Sequence, residues 1–271
     1  MIYLSLGAGV QSTALYVSAT LGLHGVPRPD VAIFADTGDE PRYVYDYLDT
    51  IEAWGRERGG PRIDRVSHGH LSADALHPAK GARTRFTAIP VWTHGQDGRE
   101  TMLRRQCTRE YKIAPIEKHV RRLLGVEKGQ RLPKATRVTA LIGISLDEVQ
   151  RMKPSRTWWI ENTYPLVDAR LKRGDCERIV VEAGLPMPRK SACVFCPFHN
   201  DAEWLQMRDN EPEEFARAVK FDAAIRDMSK SGVKGKVFLH RSLKPLDKAT
   251  FRHDGQGTLS WAGECEGMCG V

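Results

Sequence analysis

The stretch IYLSLGAGVQSTAL, residues 2–15, decides the fold class. An apolar run from Ile2 to Leu6, carrying Ser5, meets a loop with Gly7 and Gly9. Ser12 and Thr13 then lead into Leu15, Ala19 and Leu23 at helical spacing. That order reads as strand, tight loop and helix, which aims the first N–H groups of the helix at an anion. The loop has no lysine, no Gly-Lys-Ser or Gly-Lys-Thr ending and no third glycine in dinucleotide register. Two familiar phosphate loops are therefore excluded, leaving an anion cradle of another kind or a plain glycine turn.

Working outward, VAIFADTG (31–38) reads as a buried strand ending in Asp36, Thr37 and Gly38. A helix is expected from about Pro41 to Arg58, with Val44, Leu48, Ile51 and Trp54 on one face. RIDRVS (62–67) suits a third strand and TRVTALIGIS (136–145) the next. Helices are expected over Ile113–Leu124, from Leu146 to Met152, and near 175–183, 202–209 and 212–228. Strands separated by helices of this length imply βαβ units and a parallel sheet, hence an α/β, Rossmann-like core. The segment 68–103, rich in Gly, Pro and His, breaks that rhythm and reads as an insertion with a small hairpin, a candidate mobile lid. From Trp158 on, the chain reads as helix- and loop-rich. Ligands of open α/β sheets bind outside the carboxyl ends of the strands. There the sequence places three polar clusters: Gly7 to Ser12, Asp36-Thr37-Gly38, and Ser145 with Asp147 and Glu148.

The chain has 271 residues, 41% hydrophobic and 28% charged, with a net charge of +7. Those values suit a globular protein with a sizeable core. No apolar run approaches the ~20 residues that span a bilayer, and no signal-peptide pattern opens the chain, so a cytoplasmic setting without a membrane partner is expected. The positive charge either solvates the surface or meets phosphates. It concentrates at Arg104, Arg105, Arg109, Lys112, Lys118, Arg121 and Arg122, which predicts a local positive field.

Six cysteines in such a chain point to metal or redox work rather than structural disulfides. Cys193 and Cys196 form a C-x-x-C pair, and Cys107 and Cys176 would complete a four-thiolate site suited to a 4Fe–4S cluster or zinc. A small buried core residue is the competing reading of Cys176. Cys265 and Cys269 lie in a Gly-rich tail, WAGECEGMCGV (261–271), read as a flexible thiol pair able to deliver or accept sulfur.

Several of these segments, in this order, resemble the phosphoadenosine phosphosulfate (PAPS) reductase family. That family lies within the adenine nucleotide alpha-hydrolase superfamily, which includes ATP pyrophosphatases. The segments are SLGAGVQSTAL, FADTGDEPRYVYDYL, QCTREYKIAPIEKHV, ALIGISLDEVQRM, and YPLV with GLPMPRKSACVFCPF; together they cover roughly residues 1–200. The resemblance implies an adenine-nucleotide-binding α/β domain over 1–190 and a Cys-bearing region with the thiol tail over 191–271. It implies that Ser5, Gly7, Gly9, Gln11 and Ser12 hold phosphate or sulfate oxygens. Asp36, Thr37 and Gly38 would lie near adenine or ribose, and Arg105, Arg109 and Lys112 would pair with phosphate or sulfate. Asp147 and Glu148 are candidate Mg²⁺ ligands if the nucleotide is ATP.

The sequence departs from the family in three places. Position 106 is Gln, which breaks a Cys-Cys doublet. Gln11 stands where pyrophosphatase loops carry Asp. Glu264-Cys265 matches only part of a Glu-Cys-Gly ending whose cysteine attacks the sulfate sulfur. Three functions compete. One is ATP-dependent sulfur transfer to a nucleic acid or nucleobase-like acceptor, with catalytic thiols Cys265 and Cys269. Another is thiol-dependent reduction of adenylyl sulfate or PAPS to sulfite. The third is non-catalytic nucleic-acid binding with a structural zinc. The first two need a sulfur or electron donor, and a homodimer is left open.

Overall fold

A computed structural model describes residues 1–77, 89–95, 98–229 and 232–252. Five strands form one parallel sheet: β1 (Ile2–Ser5), β2 (Val31–Asp36), β3 (Ile63–Ser67), β6 (Val138–Ile142) and β7 (Ile160–Thr163). Their order is β3-β2-β1-β6-β7, so the chain winds outward from β1 in both directions. Such an order puts the topological switch point, where open α/β sheets bind ligands, between β1 and β6.

Alternate residues of each strand feed opposite layers. Leu4, Phe34 and Leu141 pack under α1 (Val10–Leu21), α2 (Arg42–Glu57) and α6 (Arg173–Glu182). Tyr3, Ile33, Ala35 and Ala140 face the other way, against Ile116 and Val120 of α4 (Ala114–Leu123). Strands buried on both faces read as continuous apolar runs, which is why VAIFA was legible. In α2 the buried residues Val44, Tyr47, Leu48, Ile51 and Trp54 recur at helical spacing.

Right-handed crossovers that reverse direction at β1 must change face, which places the β6–β7 connection in the α4 layer. It contains only a 3₁₀ turn, Leu146–Arg151, and an irregular segment rather than the expected helix. The sequence reading also missed β7. Ile-Glu-Asn-Thr carries one strong strand former, because an edge strand half open to solvent needs no alternating apolar pattern.

A second core joins the insertion to the C-terminal region. The predicted hairpin exists, β4 (Trp92–His94) antiparallel to β5 (Glu100–Met102), but β8 (Val237–Phe238) pairs with β4 as a third strand. Leu71 of α3 (Leu71–Leu76), Ile89 and Val91 are buried with Trp204 and Met207 of α7 (Asp201–Asn210) and with Phe221 of α8 (Pro212–Ala224). The described part of the insertion is therefore core, not a lid. A short helix, α5 (Pro165–Asp168), follows β7. Among the described residues no helix is long and apolar enough to cross a membrane.

Candidate functional site

The loop after β1 turns tightly because Ala8 adopts a left-handed φ of 57° and Gly9 caps α1 with extended backbone. Ser12 Oγ donates to the Gly9 carbonyl and accepts from Gly7 N–H, both at 3.2 Å, bracing the loop from inside. Intrahelical bonding begins at Thr13, whose N–H donates to the Gly9 carbonyl at 3.0 Å. The N–H groups of the first helical turn before it have no carbonyl to meet within the helix, the usual basis of an anion cradle. β6 holds the loop in place: a Cβ on Gly143 would stand 2.7 Å from Ser12 N, so only glycine admits this approach.

Two of the three predicted polar clusters meet, the β1–α1 loop and the residues after β6. Gln11, buried, donates from Nε2 to Oε1 of buried Glu148 at 2.9 Å, and Glu148 is ion-paired with Arg151. Asp147 turns elsewhere: it accepts from Ser145 Oγ at 2.6 Å and from Arg173 N–H at 3.1 Å, capping the start of α6. Asp147 and Glu148 thus have different partners: Glu148 joins an amide–carboxylate–guanidinium chain, and Asp147 caps a helix.

At the end of β2, Asp36 Oδ1 accepts from Gly38 N–H at 2.7 Å and Tyr45 hydroxyl at 2.8 Å, closing the turn. Gly38 has φ 77°, and a Cβ there would lie 2.3 Å from His70 Nδ1, so both conformation and space demand glycine. Glu40 follows, its side chain fully buried, with Lys112 Nζ 3.3 Å from its Oε1. Sequence reasoning singled out Lys112 but not Glu40, although an acid two residues past a strand-end glycine was visible.

Cys107, Cys193 and Cys196 line one cavity of about 20 Å³, together with Thr37, Lys112 and Arg105. Cys107 and Lys112, five residues apart, reach the same cavity because Thr108–Ile113 is π-helical, with its wider i to i+5 repeat. The C-x-x-C loop is pinned to the β2 end, since Val194 N–H donates to the Asp39 carbonyl at 2.9 Å and Cys196 N–H to that of Cys193 at 2.9 Å. Cys193 Sγ sits 3.2 Å from Thr37 Oγ1. Burial, and then the Glu40 carboxylate, push the Cys193 thiol well up, while Lys112 acts in the opposite sense. The resting sulfur is therefore a neutral thiol.

Cys176 is not part of this group: it is fully buried in α6, in the core shared with α1. Among the described residues no three of His, Cys, Asp and Glu are arranged to hold a metal ion. The four-thiolate site is not formed; three thiols gather instead, and the core reading of Cys176 holds. Cys265 and Cys269 lie outside the described residues.

The basic residues divide as well. Arg109 is ion-paired with Glu117 at 2.7 Å, and with Arg105 it lines a cavity of about 560 Å³. None of the β1–α1 loop residues is on that cavity's wall. Arg105 also lies over the Phe198 ring, 5.1 Å from its centre, at the thiol cavity.

No family model matches the chain, and no curated protein matches it in sequence. Among solved structures similar to it is that of phosphoadenylyl-sulfate (PAPS) reductase from Candida auris in complex with phosphate. The TM-score is 0.42 and the identity 13%, covering 69% of this chain and 74% of that chain. The likeness is distant, and the chemistry of the site is argued from its own residues.

Proposed function

We propose that this protein is a PAPS-reductase-like enzyme that binds an adenine nucleotide in the crevice between β1 and β6 and performs cysteine-dependent sulfur chemistry there. The observation that carries the reading is the 3.2 Å contact between Thr37, just past the carboxyl end of β2, and Cys193. It puts a sulfur at the same edge of the sheet as the β1–α1 loop. The order of sequence segments, which resembles that family, supports the same assignment.

The form of the chemistry we favour is ATP-dependent sulfur transfer. A carbonyl oxygen of an acceptor attacks the α-phosphorus, and pyrophosphate leaves. The terminal sulfur of a cysteine persulfide then displaces AMP from the activated carbon. A second thiol attacks the resulting disulfide, freeing the thiolated acceptor and leaving a protein disulfide. Cys265 and Cys269 supply that pair, and external sulfur and electron donors restore it. Cys107, Cys193 and Cys196 share the cavity but are not arranged to hold a metal ion, and iron and zinc analysis tests whether a cluster or zinc binds there.

One observation favours a second reading, reduction of an adenylyl sulfate to sulfite. Gln11 and Arg151 engage Glu148, so that carboxylate already has an amide and a guanidinium for partners, and a reductase needs no Mg²⁺ there. Anaerobic incubation separates the two: pyrophosphate from ATP with a nucleic-acid or nucleobase acceptor supports transfer, and sulfite from adenylyl sulfate or PAPS supports reduction. Neither product would overturn both.

A further inference from the structure

The segment 121–137 runs from the last turn of α4 into β6 and gathers six cations against one acid, Glu127. The whole chain has a net charge of +7, so most of the excess sits here. Elsewhere surface arginines are paired, Arg42 with Asp46, Arg65 with Asp49 and Glu52, and Arg178 with Asp175. Among the described residues none of Arg121, Arg122, Lys128, Arg131, Lys134 and Arg137 makes an ion pair. All but Arg121 are exposed. Arg121 donates to the Gln130 carbonyl at 2.6 Å and Arg137 to that of Thr136 at 2.7 Å, which holds both side chains without neutralising them. Leu123, Leu124 and Leu132 pack on the core beneath, so the cations stand on an anchored surface.

Arg137 reaches across to the β6–β7 connection, its guanidinium 5.9 Å from the centre of the Trp158 ring. Trp158 is 58% exposed, whereas its neighbour Trp159 is 4% exposed and belongs to the core. The core therefore makes no use of the Trp158 ring. Glu161, three residues on in β7, pairs with none of the six cations. The segment leads into β6 and Trp158 shortly precedes β7, so this surface is at the amino edge of the parallel sheet, opposite the nucleotide crevice.

We propose that this surface docks single-stranded nucleic acid. The unpaired cations meet successive phosphates and the open indole stacks a base, the combination that holds single strands with little regard to sequence. A duplex offers the phosphates but keeps its bases stacked on one another. The proposal goes beyond the sulfur-chemistry reading and does not rest on it.

Fluorescence anisotropy tests it, with the full chain and labelled oligo-dT and oligo-U of about 20 nucleotides, a duplex of the same length, and salt from about 50 to 200 mM. Wild type should bind a single strand more tightly than the duplex. Arg131→Ala/Lys134→Ala/Arg137→Ala should weaken that binding tenfold or more and flatten the log–log salt slope by about 2, at roughly 0.7 per phosphate contact. Trp158→Ala should weaken single-strand binding about fivefold or more and duplex binding less than about twofold. These side chains are exposed, and thermal melts check that the variants fold. Lys220→Ala/Lys234→Ala/Lys244→Ala removes the same charge from exposed positions in the C-terminal region and should leave binding within about threefold. Saturating ATP should not displace the strand. No single-strand binding at the lowest salt, a triple variant or a Trp158→Ala variant that binds like wild type, or a lysine control that loses as much, overturns the proposal. Displacement by ATP would put the strand in the crevice instead and also overturns it, as does binding of phosphatidylserine vesicles with no binding of nucleic acid.

Discussion

Replacing Lys112 by Met tests how the thiol cavity is held together. The Lys112 and Glu40 side chains are 8% and 0% exposed, with Nζ 3.3 Å from Oε1. Thr37 and Ser191 hydroxyls also lie 3.5 Å from the Glu40 carboxylate and the Cys193 sulfur 4.0 Å. Removing one partner of a buried pair leaves a poorly compensated charge and costs about 3–5 kcal/mol. For a chain of this size that is a fall of roughly 6–20 °C in Tm, at about 2–4 °C per kcal/mol. Urea unfolding followed by circular dichroism measures the loss, and Glu40→Gln/Lys112→Met should regain more than half of it. A single variant within about 1 kcal/mol of wild type at pH 8, or a double variant no better than the single, refutes the pair's role.

Gln11→Asp puts a carboxylate against Glu148, with Arg151 offsetting part of the repulsion. Expect a loss of roughly 1–3 kcal/mol without divalent cation, reduced by millimolar Mg²⁺ in thermal melts, whereas wild type shows no such gain. Gly38→Ala must adopt a φ near 77° and displace His70, so unfolding should show a loss of about 1–3 kcal/mol. Burial raises the Glu203 carboxyl, but His199 and Lys190 outweigh it and bring its pKa to about 2. A depressed carboxyl supports the fold above its unfolded pKa of 4.5, and that support goes as pH falls toward about 2. It amounts to about 3 kcal/mol at most. Glu203→Gln should therefore flatten the acid limb of the stability–pH curve.

The strand–loop–helix at residues 2–15 and the apolar runs of β2 and β6 were legible because doubly buried strands and amphipathic helices leave periodic marks. The meeting of Gln11 and Glu148 followed from the rule that strand ends share one edge. What stayed hidden depends on contacts distant in sequence. β7 is an edge strand with a polar face, and β8 is two residues that complete a hairpin 135 residues upstream by pairing Phe238 with Trp92 and Val237 with Thr93. Cys176 looked like a ligand by type, yet α6 turns it into the core, and no local pattern distinguishes those two fates. Glu40 and Asn162 are ordinary residues in sequence; only packing makes one a buried ion-pair partner and the other a cavity wall.

The central claim is that the protein binds an adenine nucleotide and performs sulfur chemistry that depends on the cysteine cavity at the end of β2. Cys193→Ser tests it most directly, with nucleotide affinity and anaerobic product formation measured on the same preparation. The account predicts an unchanged dissociation constant, within about twofold, for ATP or adenylyl sulfate. Sulfur product, thiolated acceptor or sulfite, should fall at least a hundredfold. A serine variant as active as wild type, or a wild-type protein that binds no adenine nucleotide, would contradict it.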